Sequence, residues 1–212
     1  MVHLHCWQRA VTPPRVTTDA DVLLDVRLKK SALSTVTEFL RDRGFDEDGR
    51  SPTGVGHRWK HGGVSIDILL PEGIGERAAK SRTVTGARTV QVPGGTQALA
   101  RAQRVELEVA GRVGYVIRPS LLGALVGKAA TMEIPVDPNN ERHRDDFVTL
   151  AGLINNPAGM NELVGTKDRR RAARMLSWAP ESYSGWEDTA IGTAAYGTAV
   201  MSFGIQPNRP SK

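Results

Sequence analysis

The sequence predicts an α+β (loosely α/β) fold: a mixed β-sheet with flanking helices in the first half, then a helical second half. Three observations carry this expectation. The apolar period is two over residues 19–28 and again near 57–71, and it is helical over 31–44. From Pro119 onward the helical period takes over. The chain has 212 residues and is 40% hydrophobic, enough for a sizeable core in one or two closely packed domains and unlike a disordered or fibrous chain. No repeat and no long low-complexity tract interrupts it. The expected organisation is a sheet-bearing core over 1–118, a helical region over 119–205 and a disordered tail over 206–212.

Each element has its own reason. On residues 19–28, Ala20, Val22, Leu24 and Val26 point one way and Asp19, Asp21, Leu23 and Asp25 the other, so one face is core and the other acidic. The segment from Ser31 to Gly44 follows as a helix, with Ser31 as cap, Leu33, Val36, Phe39 and Leu40 as its apolar stripe, and Gly44 as its stop. "HRWKHGGVSIDILLP" reads as two strands joined by a tight turn at Gly62–Gly63, the second alternating Val64, Ile66 and Ile68 with Ser65, Asp67 and Leu69. A glycine-rich stretch over 73–96, with short strand candidates, leads to a hairpin or strand pair over 103–118. Ser120 caps a helix over "LLGALVGKAATM". Residues 141–154 present Phe147, Leu150, Ala151 and Ile154 at core-facing helical spacing, and further helices are expected near 166–178 and 187–203.

The chemistry begins with the acidic strand. Asp19 and Asp21 sit two residues apart on one face, with Cα atoms roughly 6.5–7 Å apart, so both carboxylates can reach a common point. Two such anions repel unless a cation lies between them, and carboxylate oxygens suit Mg²⁺, which keeps waters and substrate phosphates in its other positions. Asp67, between Ile66 and Ile68, is costly to bury without a partner and supplies a third ligand or a base for an attacking hydroxyl. Together the three fit a two-metal phosphoryl or nucleotidyl transfer site; the bland alternative is that Asp19 and Asp21 decorate an exposed strand edge. Asp25 is expected to be peripheral or salt-bridged.

Lys128 shares a helical face with Leu121, Leu125 and Met132, so its ammonium must snorkel outward or meet a phosphate. Asp146 shares a stripe with Leu150 and Leu153, whereas Asp145 lies on another face. Arg58, borne on a strand, can contact a phosphate, and His57 reads as a satisfied core histidine. His3, His5 and Cys6 alternate with no second cluster elsewhere, which argues against zinc. The glycine-rich region carries neither a P-loop nor a dinucleotide-binding fingerprint.

Net charge is +5, from 28 Lys and Arg against 23 Asp and Glu, and "KDRRRAAR" (167–174) concentrates it; a polyanionic partner and a solvated helix face both fit. No run of about 18 apolar residues occurs and the first residues are polar, so the expectation is a soluble, cytoplasmic protein without a membrane partner. The single cysteine, Cys6, cannot form an internal disulfide, which suits a reducing compartment.

In order, "R-x-T-x-D-x-D" at Arg15–Asp21, "HR" at 57–58, "IDIL-x-P" at 66–71, "VIRPSLLGALVGKAA" and "RHRDDFVTLAGL" resemble the polymerase-beta-like nucleotidyltransferase superfamily. The likeness is strongest to the toxin members of abortive-infection toxin–antitoxin pairs, the AbiEii/MenT group, and covers about residues 10–155. It implies that 1–118 is the catalytic core and that Asp19 and Asp21 hold Mg²⁺ and a nucleoside triphosphate (NTP). It also implies that Asp67 is the third carboxylate, that Arg15, Arg58 and Lys128 serve the nucleotide, with Lys128 contacting phosphates, and that Asp146 supports the active centre. In the toxin group the acceptor is often tRNA, which by analogy suits the basic 167–174 segment, and a cognate antitoxin is an implied partner. The family carries a Gly-Gly or Gly-Ser turn ahead of the helix that leads into the aspartate motif. "MVHLHCWQRA" resembles that helix without the turn, which implies either a start placed too late or a member with weakened nucleotide binding.

The expected function is therefore Mg²⁺-dependent transfer of a nucleoside monophosphate from an NTP to an acceptor, with RNA as the expected acceptor. The alternatives are a non-catalytic binding module of the same fold, and transfer to a small molecule or a protein hydroxyl.

Overall fold

The computed structural model describes residues 1–134 and 140–206; the tail expected over 206–212 lies, from 207 onward, outside the described residues. In chain order the elements are α1 (Val2–Gln8), β1 (Asp19–Leu23), α2 (Ala32–Arg41), β2 (Asp46–Glu47), β3 (Arg58–His61), β4 (Val64–Pro71), α3 (Gly75–Ala79), β5 (Val90–Val92) and α4 (Gly95–Ala100). Then come β6 (Ala102–Val109), β7 (Arg112–Pro119), α5 (Leu121–Ala130), α6 (Asn140–Ala151), α7 (Pro157–Glu162), α8 (Thr166–Trp178) and α9 (Ala194–Phe203). The mixture of helices and sheets makes this an α+β protein. No helix among the described residues is long and apolar enough to cross a membrane.

The chain divides into two compact units: Arg15–Leu99, and a second made of Met1–Pro14 with the chain from Ala100 onward. The boundary expected at 118/119 is corrected by this division, because the β6–β7 hairpin groups with the helices rather than with the sheet. The local reason is hydrogen bonding: the Ser120 N–H donates to the Arg101 carbonyl at 2.7 Å, and Arg118 is held by His5 and Gln8 of α1.

In the sheet unit the strands run β1-β4-β3-β2, with β5 also pairing β4. β1 and β5 lie parallel to β4, and β3 is antiparallel to it, turning back through Gly62, whose φ of +57° suits a glycine. β4 is therefore the central strand. Its inward side chains Ile66, Ile68 and Leu70 pack with Val22, Leu24, Val26 and Trp59 and with Leu33, Val36 and Leu40 of α2. Phe39, expected in that stripe, is instead exposed, with the Arg43 guanidinium 3.4 Å from its ring centroid. The first strand ends at Leu23 rather than 28, because Arg27 folds back onto Asp25. That bidentate pair holds the Asp25 carboxyl below the usual range. Gly95 has a steric role: a Cβ there would lie 2.7 Å from the Pro71 Cα.

In the second unit α5, α6, α8 and α9 build one core from Leu125, Phe147, Leu150, Met175, Ala199 and Phe203, with Trp186 and Cys6 fully buried beside them. Ser120 caps α5 by accepting from the Gly123 N–H at 3.2 Å. α9 begins at Ala194 rather than 187, after Gly192 at φ +59°.

His5 of α1 is buried and neutral: its Nε2 donates to the Pro119 carbonyl at 3.1 Å, and Arg118 donates to the other ring nitrogen. Burial, then the Arg118 charge, draw its pKa down from 6.5 to about 4. The unfolded chain therefore binds a proton that the folded chain refuses between those values, so stability falls as pH drops from 6.5 toward 4. We expect a loss of about 3 kcal/mol across that window, read by urea unfolding at several pH values, with the slope flattened in His5→Phe.

Candidate functional site

The sheet face opposite the α2-covered core carries the acidic residues. The parallel register sets Asp19 beside Ser65 and Asp21 beside Asp67, and the antiparallel register sets Arg58 on the other side of Asp67. Neighbouring strands lie about 4.8 Å apart, so Asp19, Asp21 and Asp67 occupy one contiguous patch on β1 and β4. Asp19 and Asp21 are exposed, and Asp67 is half-buried.

Local bonds set the geometry. The Asp19 backbone N–H donates to Thr17 Oγ1 at 3.2 Å, and Ser65 Oγ donates to Asp19 Oδ1 at 2.7 Å. Ser65 lies two residues before Asp67, hence on the same face; its alternation along β4 was the signal for its part in the patch. Arg58 donates from Nε and Nη2 to the two oxygens of Asp67, both at 2.8 Å. Hydrogen bonding to Asp67, with the added pull of Asp67, Asp19 and Asp48, raises the guanidinium pKa above its ordinary value. Arg15 precedes β1 and is half-buried.

These positions bear directly on a divalent cation. Asp19 and Asp21 fit Mg²⁺, which needs only one or two protein carboxylates. Asp67 does not fit as a third ligand while Arg58 occupies both its oxygens. Among the described residues no group of three or more His, Cys, Asp or Glu side chains is gathered to hold a metal. The three carboxylates are thus in register without forming a cage, and Arg58 supplies the counter-charge to one of them.

Lys128 and Asp146 belong to the helical unit and pair with each other: Lys128 Nζ lies 2.7 Å from Asp146 Oδ2, with both side chains largely buried. Lys128 Nζ is also 3.5 Å from His143 Nδ1. Rather than snorkelling out to water, this ammonium meets a carboxylate one helix away. The Cys6 thiol is fully buried; burial, then the Asp146 charge, push its pKa up. No local pattern in the sequence marks His143, because it meets Lys128 from another helix. Asp145 faces elsewhere and accepts a 2.6 Å bond from the Tyr183 hydroxyl.

The basic segment 167–174 divides in two. Arg171 is buried and pairs with Glu133 at 2.8 Å, Arg169 donates to the Phe203 carbonyl and to Asn161, and Asp168 is held by Arg101 at 2.6 Å. Lys167, Arg170 and Arg174 are exposed, at spacings of three and four along one helix face.

Replacing Arg58 with alanine leaves Asp67 beside Asp21 with no guanidinium between strands. Because Arg58 is 42% exposed at its side chain, we expect a small loss of stability, about 0–1 kcal/mol. We also expect a larger rise in melting temperature on adding millimolar Mg²⁺ than the wild type gives, read by thermal shift.

No protein-family model, curated protein or solved structure matches the chain.

Proposed function

We propose that the chain is a polymerase-beta-like nucleotidyltransferase that moves a nucleoside monophosphate from an NTP to an acceptor hydroxyl, with RNA, and tRNA in particular, as the acceptor. The observation that carries this reading is the strand register that sets Asp19 and Asp21 of β1 on the same sheet face as Asp67 of β4, opposite the apolar core. The motif resemblance supplies the reaction class.

In this reading Asp19 and Asp21 hold Mg²⁺, which when bound would offset charge on the triphosphate and the pyrophosphate leaving group. Ser65 and Thr17 fix the Asp19 backbone and carboxylate, so the acidic face is organised before substrate arrives. The acceptor oxygen attacks the α-phosphorus in line, forming a P–O bond as the bond to pyrophosphate breaks. Asp67 takes the acceptor proton only after exchanging its Arg58 partner, and the released guanidinium is then placed to meet phosphate. Lys167, Arg170 and Arg174 offer phosphate contacts for the RNA backbone. Work in the cytoplasm and pairing with an antitoxin belong to the same reading.

The test is transfer of label from α-labelled NTPs to bulk tRNA with Mg²⁺, comparing wild type with Asp21→Ala. Transfer by the wild type alone supports the reading, and equal transfer by both refutes it.

A second reading is favoured by one observation, the double engagement of Asp67 by Arg58. It makes the chain a non-catalytic module of the same fold that binds RNA through α8. Calorimetry with Mg²⁺ and each NTP separates the two: the module gives no heat at millimolar nucleotide yet still retards RNA in a salt-dependent way.

A further inference from the structure

The β6–β7 hairpin belongs to the helical unit and has no assigned role. Among the described residues it pairs with no other strand, so each of its two strands has an outer edge. A two-stranded hairpin is at best marginally stable in water, and an unpaired edge is a template for another strand. This one also exposes Val113, Tyr115 and Ile117 on one face, at 63%, 56% and 77%. Its turn is built for a hairpin: Ala110 and Gly111 both have positive φ, the two-residue form that matches strand twist.

The charges on the strands decide which edge and which partner. The charged side chains of β7, Arg112 and Arg118, are both basic, so two copies of that edge bring no acid to either arginine. β6 reads A-Q-R-V-E-L-E-V, with Arg104, Glu106 and Glu108 on one face. A two-fold axis perpendicular to a sheet requires a residue of one strand to face its own copy. Centring on Arg104 or on Glu106 sets that charge against itself, and centring on Leu107 sets Glu106 against Glu108. Centring on Val105 sets Arg104 opposite Glu106 twice and leaves no like charges opposed.

We propose that the β6 edge is a homodimer interface, in which β6 of one copy pairs antiparallel with β6 of a second copy about Val105. The result is a four-stranded sheet in the order β7-β6-β6-β7, whose exposed face carries two reciprocal Arg104–Glu106 pairs. Arg104 is already held over that face, its guanidinium carbon 3.8 Å from the Tyr115 ring centroid. The four strands relieve the marginal size of the hairpin. The competing role for the same charges is protection of the edge against any pairing.

Light scattering coupled to size exclusion on the full chain decides between these. The expected result in low salt is a mass of twice the 23.0 kDa chain, falling to the monomer for Arg104→Glu and returning to the dimer for Arg104→Glu combined with Glu106→Arg. Rescue by the double exchange separates lost complementarity from lost folding, because both variants alter the same hairpin. A wild type that stays monomeric up to tens of micromolar, a dimer unaffected by Arg104→Glu, or a double exchange that stays monomeric overturns the proposal.

Discussion

Replacing Asp146 with alanine is expected to destabilise the helical unit by about 3–5 kcal/mol, the cost of leaving a buried ammonium without its counter-ion. Lys128 is 15% exposed at its side chain and Asp146 is 4% exposed, and the pair closes at 2.7 Å between α5 and α6. His143 touches the ammonium at 3.5 Å, but an imidazole carries no negative charge to replace the carboxylate. The surroundings are apolar, with Val126, Phe147 and Leu150 fully buried on the same two helices. Truncating both partners tells burial from pairing. Lys128→Met with Asp146→Leu removes two charges together and is expected to recover most of the loss, because a buried ion pair offsets little more than its own desolvation. Urea unfolding of the two variants reads both values. A loss under about 1 kcal/mol for Asp146→Ala would mean that Lys128 reaches water.

The second large effect separates activity from stability. Asp21→Ala is expected to lower nucleotide transfer by at least a hundredfold and to leave the fold as stable as before, or slightly more so. The first part follows from removing one of two carboxylates proposed to hold the cation. The second follows from the register: Asp21 is exposed and lies directly beside Asp67 on the neighbouring strand, so the native pair places like charges across from each other. Removing one carboxylate relieves about 0.2–1 kcal/mol of that repulsion, part of which Arg58 already offsets. A residue that lowers stability and raises activity is the signature of a functional position, whereas a merely decorative aspartate would lower neither when truncated. Labelled transfer and a thermal melt on the same preparation read the two effects.

Much of the architecture was legible wherever the pattern was local. α8 begins at Thr166 and ends at Trp178 as its period indicates, and Phe147, Leu150, Ala151 and Ile154 are all buried as their spacing requires. The β6–β7 hairpin and the Gly62 turn follow from alternation and turn chemistry. α7 is too short to show a helical period, although its start is marked by Asn156, which accepts from the Gly159 N–H at 2.9 Å, and by Pro157 at the first helical position. Phe39 left the α2 stripe because Arg43 on the next turn covers its ring in solvent.

The site was legible only in part. That Asp19 and Asp21 share a face is a matter of period, but that Asp21 lies beside Asp67, and Arg58 beyond it, depends on pairing between segments tens of residues apart. The same limit hid the partners of Lys128 and of Arg171, which meet carboxylates on other elements. Charge along a sequence does not say which side chains are already neutralised in the fold. In "KDRRRAAR" the fold engages Arg169 and Arg171 internally, and what remains outward is a narrower stripe than the run suggests.

The most direct measurement is Mn²⁺ binding followed by electron paramagnetic resonance, on wild type and on Asp19→Asn combined with Asp21→Asn. NTP-dependent Mn²⁺ binding by the wild type is expected to be lost in the double variant while its melting temperature holds. Equal binding by both proteins, or no binding by the wild type at millimolar metal and nucleotide, would contradict a cation site on the β1–β4 face.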